Sequence, residues 1–155
     1  MTAPAARRVR LAALAATLLL LPMTATGAVA QPAQKVYRIG MLERTSPASN
    51  AANLDAFRDG LRSLGYVEGK SVVIEYRSAE GRDDRFPGLA AELVSLKVDV
   101  IVTRGTPAAL AAKEATTTIP VVIMGVGDPV GQGLVASLAH PGGNVTGLSA
   151  AASST

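Results

Sequence analysis

Val98-Asp99-Val100-Ile101-Val102-Thr103-Arg104-Gly105-Thr106-Pro107-Ala108-Ala109-Leu110-Ala111-Ala112-Lys113 decides the fold. Val98 to Thr103 is dominated by β-branched residues, the composition of a strand buried on both faces. Thr106-Pro107 then opens a helix, with Thr106 read as the N-cap and Pro107 as the first helical residue. A buried strand that turns directly into a helix is half of a βαβ unit.

Outward from this stretch the alternation continues on both sides. Val36 to Leu42 reads as a first strand. A helix begins near Ala51, with Leu54, Phe57, Leu61 and Leu64 on one face, and Gly65 stops it. Ser71 to Tyr76 is a second strand, and Phe86, Leu89, Ala90, Leu93 and Leu96 form a second helical stripe. After the third strand and helix come a fourth strand, Ile119 to Met124, a short fourth helix, Gly131 to Ala139, and a fifth strand from Asn144 to Leu148. Strand-helix alternation at this spacing predicts an α/β fold, a parallel sheet covered by helices on both faces. Right-handed crossovers make the sheet doubly wound, with a flavodoxin-like strand order. Ligands of such sheets gather at the C-terminal ends of the strands. The expected site is therefore built from the loops Glu43 to Asn50, Arg104 to Thr106 and Gly125 to Val130.

Residues 1–30 have a different character. Arg7, Arg8 and Arg10 precede Leu11 to Leu21, a run of Leu, Ala and Thr that Pro22 breaks. Ala28 and Ala30 then place small residues where a signal peptidase reads them. This is the anatomy of a cleavable secretory signal, with cleavage expected before Gln31. The run is too short for a membrane span. Residues 31–34 form a polar leader.

Those three arginines are among fifteen basic residues in the chain, and no acid precedes Gln31, so the remaining twelve bases match the twelve acids. The mature region carries no basic run interleaved with aromatics, which argues against a nucleic-acid partner. The chain has no cysteine. That excludes disulfides, thiolate metal sites, a Cys nucleophile and a lipidated N-terminal Cys, so no lipid anchor is expected.

The loops supply no catalytic set. His140, the only histidine, sits in the turn His140-Pro141-Gly142-Gly143 and reads as a surface residue. No G-x-S-x-G elbow or phosphate loop occurs. Gly125-Val126-Gly127 with Gly131 lacks the spacing and the place of a dinucleotide fingerprint. Neither a cofactor nor a metal is expected. The loops do offer polar binding. Thr45 and Ser46 carry hydroxyls that donate and accept. Thr106 and the free N–H groups at its helix start make a carboxylate cradle, or Thr106 serves as a cap alone. Asp128 could meet a ligand ammonium, or form the turn before Pro129. Arg104 could face the cleft, or be a solvated side chain at a strand end, and the second is favoured.

Four stretches carry a family resemblance. They are Phe57-Arg58-Asp59-Gly60-Leu61 with Leu64-Gly65-Tyr66-Val67-Glu68-Gly69-Lys70; Ile74-Glu75-Tyr76-Arg77-Ser78-Ala79-Glu80-Gly81; Val98 to Val102 through Gly105-Thr106-Pro107-Ala108-Ala109 to Thr118-Ile119-Pro120-Val121-Val122; and Asp128-Pro129-Val130 through Gly133-Leu134-Val135 to Pro141-Gly142-Gly143-Asn144-Val145-Thr146-Gly147. In this order they resemble the bacterial ABC-transporter substrate-binding proteins that include the tryptophan/tyrosine-type periplasmic binding proteins.

The resemblance implies a two-lobed type I periplasmic-binding-protein fold. It implies a small-molecule ligand, an amino acid or related metabolite, clamped between lobes and delivered from the periplasm to an ABC permease in the inner membrane. By position, the ligand would meet Thr45, Ser46, Gly105, Thr106, Asp128 and Pro129. The expected organisation is a signal at 1–30, a leader at 31–34, an N-terminal lobe at 35–149 and a low-complexity tail at 150–155, with the second lobe missing. A non-enzymatic binder is the favoured reading. The alternative is an exported small enzyme on a flavodoxin-like fold.

Overall fold

The structure, a computed structural model, describes residues 35–150. The signal segment with Ala28, Ala30 and Gln31, the leader, and residues 151–155 lie outside the described residues.

Among the described residues, five strands alternate with three α-helices. They are β1 (Tyr37–Glu43), α1 (Ala51–Ser63), β2 (Val72–Ser78), α2 (Phe86–Ser95), β3 (Val100–Arg104), α3 (Thr106–Ala115), β4 (Val121–Val126) and β5 (Val145–Ser149). A 3-10 turn at Asp83–Arg85 leads into α2. The sheet order is β2-β1-β3-β4-β5, with every pairing parallel. This is the flavodoxin-like order expected for a doubly wound sheet, with its switch point between β1 and β3.

Alternation along each strand sorts side chains to two faces. On one face Leu42, Ile101, Val121 and Ile123 pack with Phe86 and Leu93 of α2 and with buried alanines of α3. Ala108, Ala109, Ala111 and Ala112 are all buried, and their small side chains let α3 lie close on the sheet. On the other face Ile39, Val72 and Val102 pack beneath Phe57 and Leu61 of α1. Leu64 falls just past the end of α1 and is 75% exposed, so it leaves the stripe that the spacing assigned to it.

The fourth helix does not form. Residues 127–144 run as turns between β4 and β5. Asp128 Oδ1 accepts from the Gly131 N–H at 2.8 Å, the Pro129 carbonyl accepts from Leu134 and Val135, and Gly133 is left-handed at φ 68°. A positive φ at Gly133 cannot continue a right-handed helix. Leu134 and Val135 are nonetheless buried against the α2–α3 core, so the segment covers the sheet without being helical. Asn144 closes it, donating from Nδ2 to the Thr116 and Ile119 carbonyls at 3.0 and 2.8 Å.

Candidate functional site

The C-terminal edge of the sheet is formed by the ends of β1, β3 and β4. The turn after β3 is tied to β4, because the Gly105 N–H donates to the Met124 carbonyl at 3.2 Å. Gly105 has φ 79° and ψ 161°, a region open essentially to glycine. This corrects the expected cap. Gly105, not Thr106, is the N-cap, and Thr106 is the first residue of α3. Among the described residues no side chain caps this helix, since glycine has none to offer and Thr106 lies one place too late. The start of α3 therefore lacks the side-chain acceptor that helices commonly use.

The loop after β1 is tied to β2. The Tyr76 hydroxyl donates to the Thr45 carbonyl at 2.8 Å and accepts from Asn50 Nδ2 at 3.2 Å. The Ser46 hydroxyl donates to Ser49 Oγ at 3.1 Å and accepts from the Ser49 N–H at 3.2 Å, which shapes the approach to α1. Asp128 is exposed and its carboxylate is engaged in the turn with Gly131. Pro129 is buried.

Beneath these loops, on the α1 face, lies a polar cluster that the sequence reading missed. Arg104 ends β3, and its guanidinium reaches Asn50 Oδ1 at 3.3 Å and Glu43 Oε1 at 3.4 Å. Asn53 Nδ2 also donates to Asn50 Oδ1, at 2.9 Å. Glu43 and Asn50 are each 3% exposed, whereas the Arg104 side chain is 39% exposed. Glu43 Oε1 has no hydrogen-bond donor despite its burial. Burial pushes the Glu43 carboxyl above its ordinary value, against the opposing pull of Arg104 and Asn50. A signal for this cluster exists in the chain. Tyr37, Ile39, Met41 and Glu43 share one face of β1, and an ionisable group ending such a row calls for a partner on the neighbouring strand.

The cluster borders a cavity of about 230 Å³ lined by Met41, Asn50, Asn53, Leu54, Phe57, Arg104 and Met124. A larger cavity, about 360 Å³, lies at the opposite edge on the same face, where Lys35 pairs with Asp99 at 2.7 Å and Tyr37 meets Tyr66 edge to face. That edge holds the N-terminal ends of the strands, away from where parallel sheets bind ligands.

Comparison with known proteins places this architecture. The family model described as "ABC transporter substrate binding protein" matches residues 38–155. The chain belongs to that family. A tyrosine-binding protein of Clostridioides difficile (strain R20291) is 36% identical over 116 residues, which is 75% of this chain and 34% of the relative. The chain thus spans about a third of the length of that curated relative.

Three solved structures superpose on most of this chain with part of their own length. A ligand-free, open substrate-binding protein with adhesive properties from Clostridium difficile is 34% identical, with a TM-score of 0.71 over 77% of this chain and 40% of that one. An ABC domain in complex with L-Trp from Streptococcus pneumonia is 35% identical, with a TM-score of 0.67 over 74% of this chain and 39% of that one. A conserved domain protein from Vibrio cholerae matches at 37% identity and a TM-score of 0.71, over 77% of this chain and 40% of its own. The α/β sheet of this family member corresponds to part of each, as expected for one lobe.

Proposed function

We propose that this family member is the N-terminal lobe of the solute-binding component of an ABC importer. It is exported by the signal at residues 1–30, binds an amino acid or related metabolite in the periplasm and presents it to a permease in the inner membrane. The ligand meets Thr45, Ser46, Gly105, Thr106, Asp128 and Pro129 at the C-terminal edge. The observation that carries this reading is the start of α3, which no side chain caps, set among the loops after β1, β3 and β4. Free N–H groups at a helix start complement a carboxylate, and the helix dipole adds to the attraction. The tyrosine and L-Trp named for two relatives support an amino-acid ligand.

The test is a thermal-shift screen of residues 31–155 against the common amino acids. One lobe leaves half of a ligand solvated, so binding in the millimolar range, about 4 kcal/mol, is expected. At ten times such a dissociation constant a true ligand adds about 1.4 kcal/mol of stability by mass action. Thr106→Ala should leave the unliganded melting temperature nearly unchanged, because Thr106 is not the cap. It should weaken the stabilising ligand's binding by about 1 kcal/mol or more. No shift with any amino acid would overturn the reading.

A further inference from the structure

The cavity beneath the loops joins an apolar interior to a single accessible cation. Met41, Leu54, Phe57 and Met124 line its walls, and the partly exposed Arg104 guanidinium lies among them. Arg104 is a fork of five donors, and among the described residues only the contacts to Asn50 Oδ1 and Glu43 Oε1 engage it, at 3.3 and 3.4 Å. We propose that Arg104 anchors the carboxylate of a ligand whose apolar body occupies this cavity, with Glu43 and Asn50 as residues that position the guanidinium. The cavity abuts the edge assigned above to ligand binding, so the proposal rests on that reading: Arg104, which directly precedes the Gly105 cap, shares the one carboxylate with the N–H groups at the start of α3, and the ligand is specified as a carboxylate on an apolar body.

Burial supports the assignment of roles. Glu43 is 3% exposed, borders but does not line the cavity, and keeps Oε1 without a hydrogen-bond donor. It lies against the guanidinium as an ion pair at 3.4 Å, while the Arg104 side chain stays 39% exposed. Asn50 is held in turn by Asn53 and by the Tyr76 hydroxyl, so its Oδ1 is a fixed acceptor for Arg104. A planar fork oriented in this way suits bidentate pairing with a carboxylate.

The arrangement couples binding to a proton. Among the described residues the ionisable groups that interact with Glu43 are Arg104 on β3 and the Tyr76 phenol on β2, while the approach to α1 presents the neutral amide of Asn50. Burial already favours the protonated Glu43 carboxyl, and Arg104 opposes that. A ligand carboxylate would share the Arg104 charge and add a like charge nearby. Both effects raise the Glu43 carboxyl further. The bound state then holds more proton than the free state, so affinity rises as pH falls.

Three indole probes test this on residues 31–155 by calorimetry at pH 5 and pH 8. They are L-tryptophan, tryptamine, which lacks the carboxylate, and indole-3-propionate, which lacks the ammonium. The two carboxylates should bind at pH 8, L-tryptophan should bind more tightly at pH 5, and tryptamine should bind at least about tenfold more weakly. Arg104→Gln should abolish the preference for the carboxylates, and Arg104→Lys should restore part of it. Glu43→Gln, a mimic of the protonated side chain, should remove the pH dependence and keep the tighter affinity at pH 8. If Arg104→Gln unfolds by leaving Glu43 without its cation, Glu43→Gln combined with Arg104→Gln should fold and show the same loss of preference.

Binding of L-tryptophan that Arg104→Gln leaves unchanged would overturn this assignment and leave the importer reading standing. Binding of indole-3-propionate with no amino acid bound would do the reverse. Failure of indole-3-propionate to bind at either pH would overturn the assignment outright.

Discussion

Gly105 shows how one residue sets the chemistry of the whole edge. Its φ of 79° and ψ of 161° are paired with a hydrogen bond from its N–H to the Met124 carbonyl and another from the Ala109 N–H to its own carbonyl. The glycine thus turns the chain from β3 into α3 within one position and leaves the helix start without a side-chain cap. Any Cβ here is strained by the backbone, although no neighbour lies within 4 Å to clash with it. Gly105→Ala should therefore destabilise the lobe by about 1–3 kcal/mol through backbone strain alone. Urea unfolding measures this, and an unchanged midpoint would show that the turn relaxes freely. The sequence reading placed the turn correctly but assigned the cap to Thr106, because Thr-Pro is a common helix opening and nothing in composition reveals a positive φ one residue earlier. Asp128 was read with a turn as one of its two roles, and the turn is where its carboxylate is engaged, with the Gly131 N–H.

Among the elements, the strands were the most legible. Runs such as Val72-Val73-Ile74 and Val100-Ile101-Val102 have few other uses, and their observed bounds differ from those expected by one or two residues. The segment after β4 was misread as a helix. Leu134 and Val135 are apolar and Gln132 to Ala139 has no proline, so the composition allows a helix. Gly133 and the Asp128–Gly131 turn decide otherwise. The segment still packs as a helix would. Leu134 is 2% exposed and belongs to the same core as Val121 and Ile123. Leu134→Ala should cost about 2–5 kcal/mol, the range for a buried leucine in a packed core, although it lies in no helix or strand. A chemical denaturation curve with an unchanged slope and a lower midpoint is the expected result. A loss below about 0.5 kcal/mol would show that the segment is a surface loop only.

At the scale of the whole molecule, the strand order and the two-faced core were readable because parallel connections leave few topologies. The Glu43–Arg104 cluster was legible only in that Glu43 ends an otherwise inward-facing row of β1 and so calls for a partner; which residue answers was not, since the members lie far apart in the chain and belong to no motif. It emerges only when register brings Leu42 opposite Thr103, which sets the next pair, Glu43 and Arg104, side by side at the strand ends. The two edges of the sheet now make opposite claims. The C-terminal edge has an uncapped helix start, an oriented guanidinium and a cavity of about 230 Å³. The N-terminal edge has a larger cavity whose charges, Lys35 and Asp99, are already paired with each other. The Asp99 carboxyl is held below its ordinary value by the Arg38 backbone N–H first and Lys35 second, which marks it as a settled partner in that pair. The most direct test is a titration of isotopically labelled residues 31–155 with L-tryptophan, followed by amide chemical shifts. The account predicts saturable shifts confined to residues 41–57, 104–106 and 124–130. Shifts centred instead on Tyr37, Tyr66 and Asp99, or none up to the solubility limit of the ligand, would contradict it.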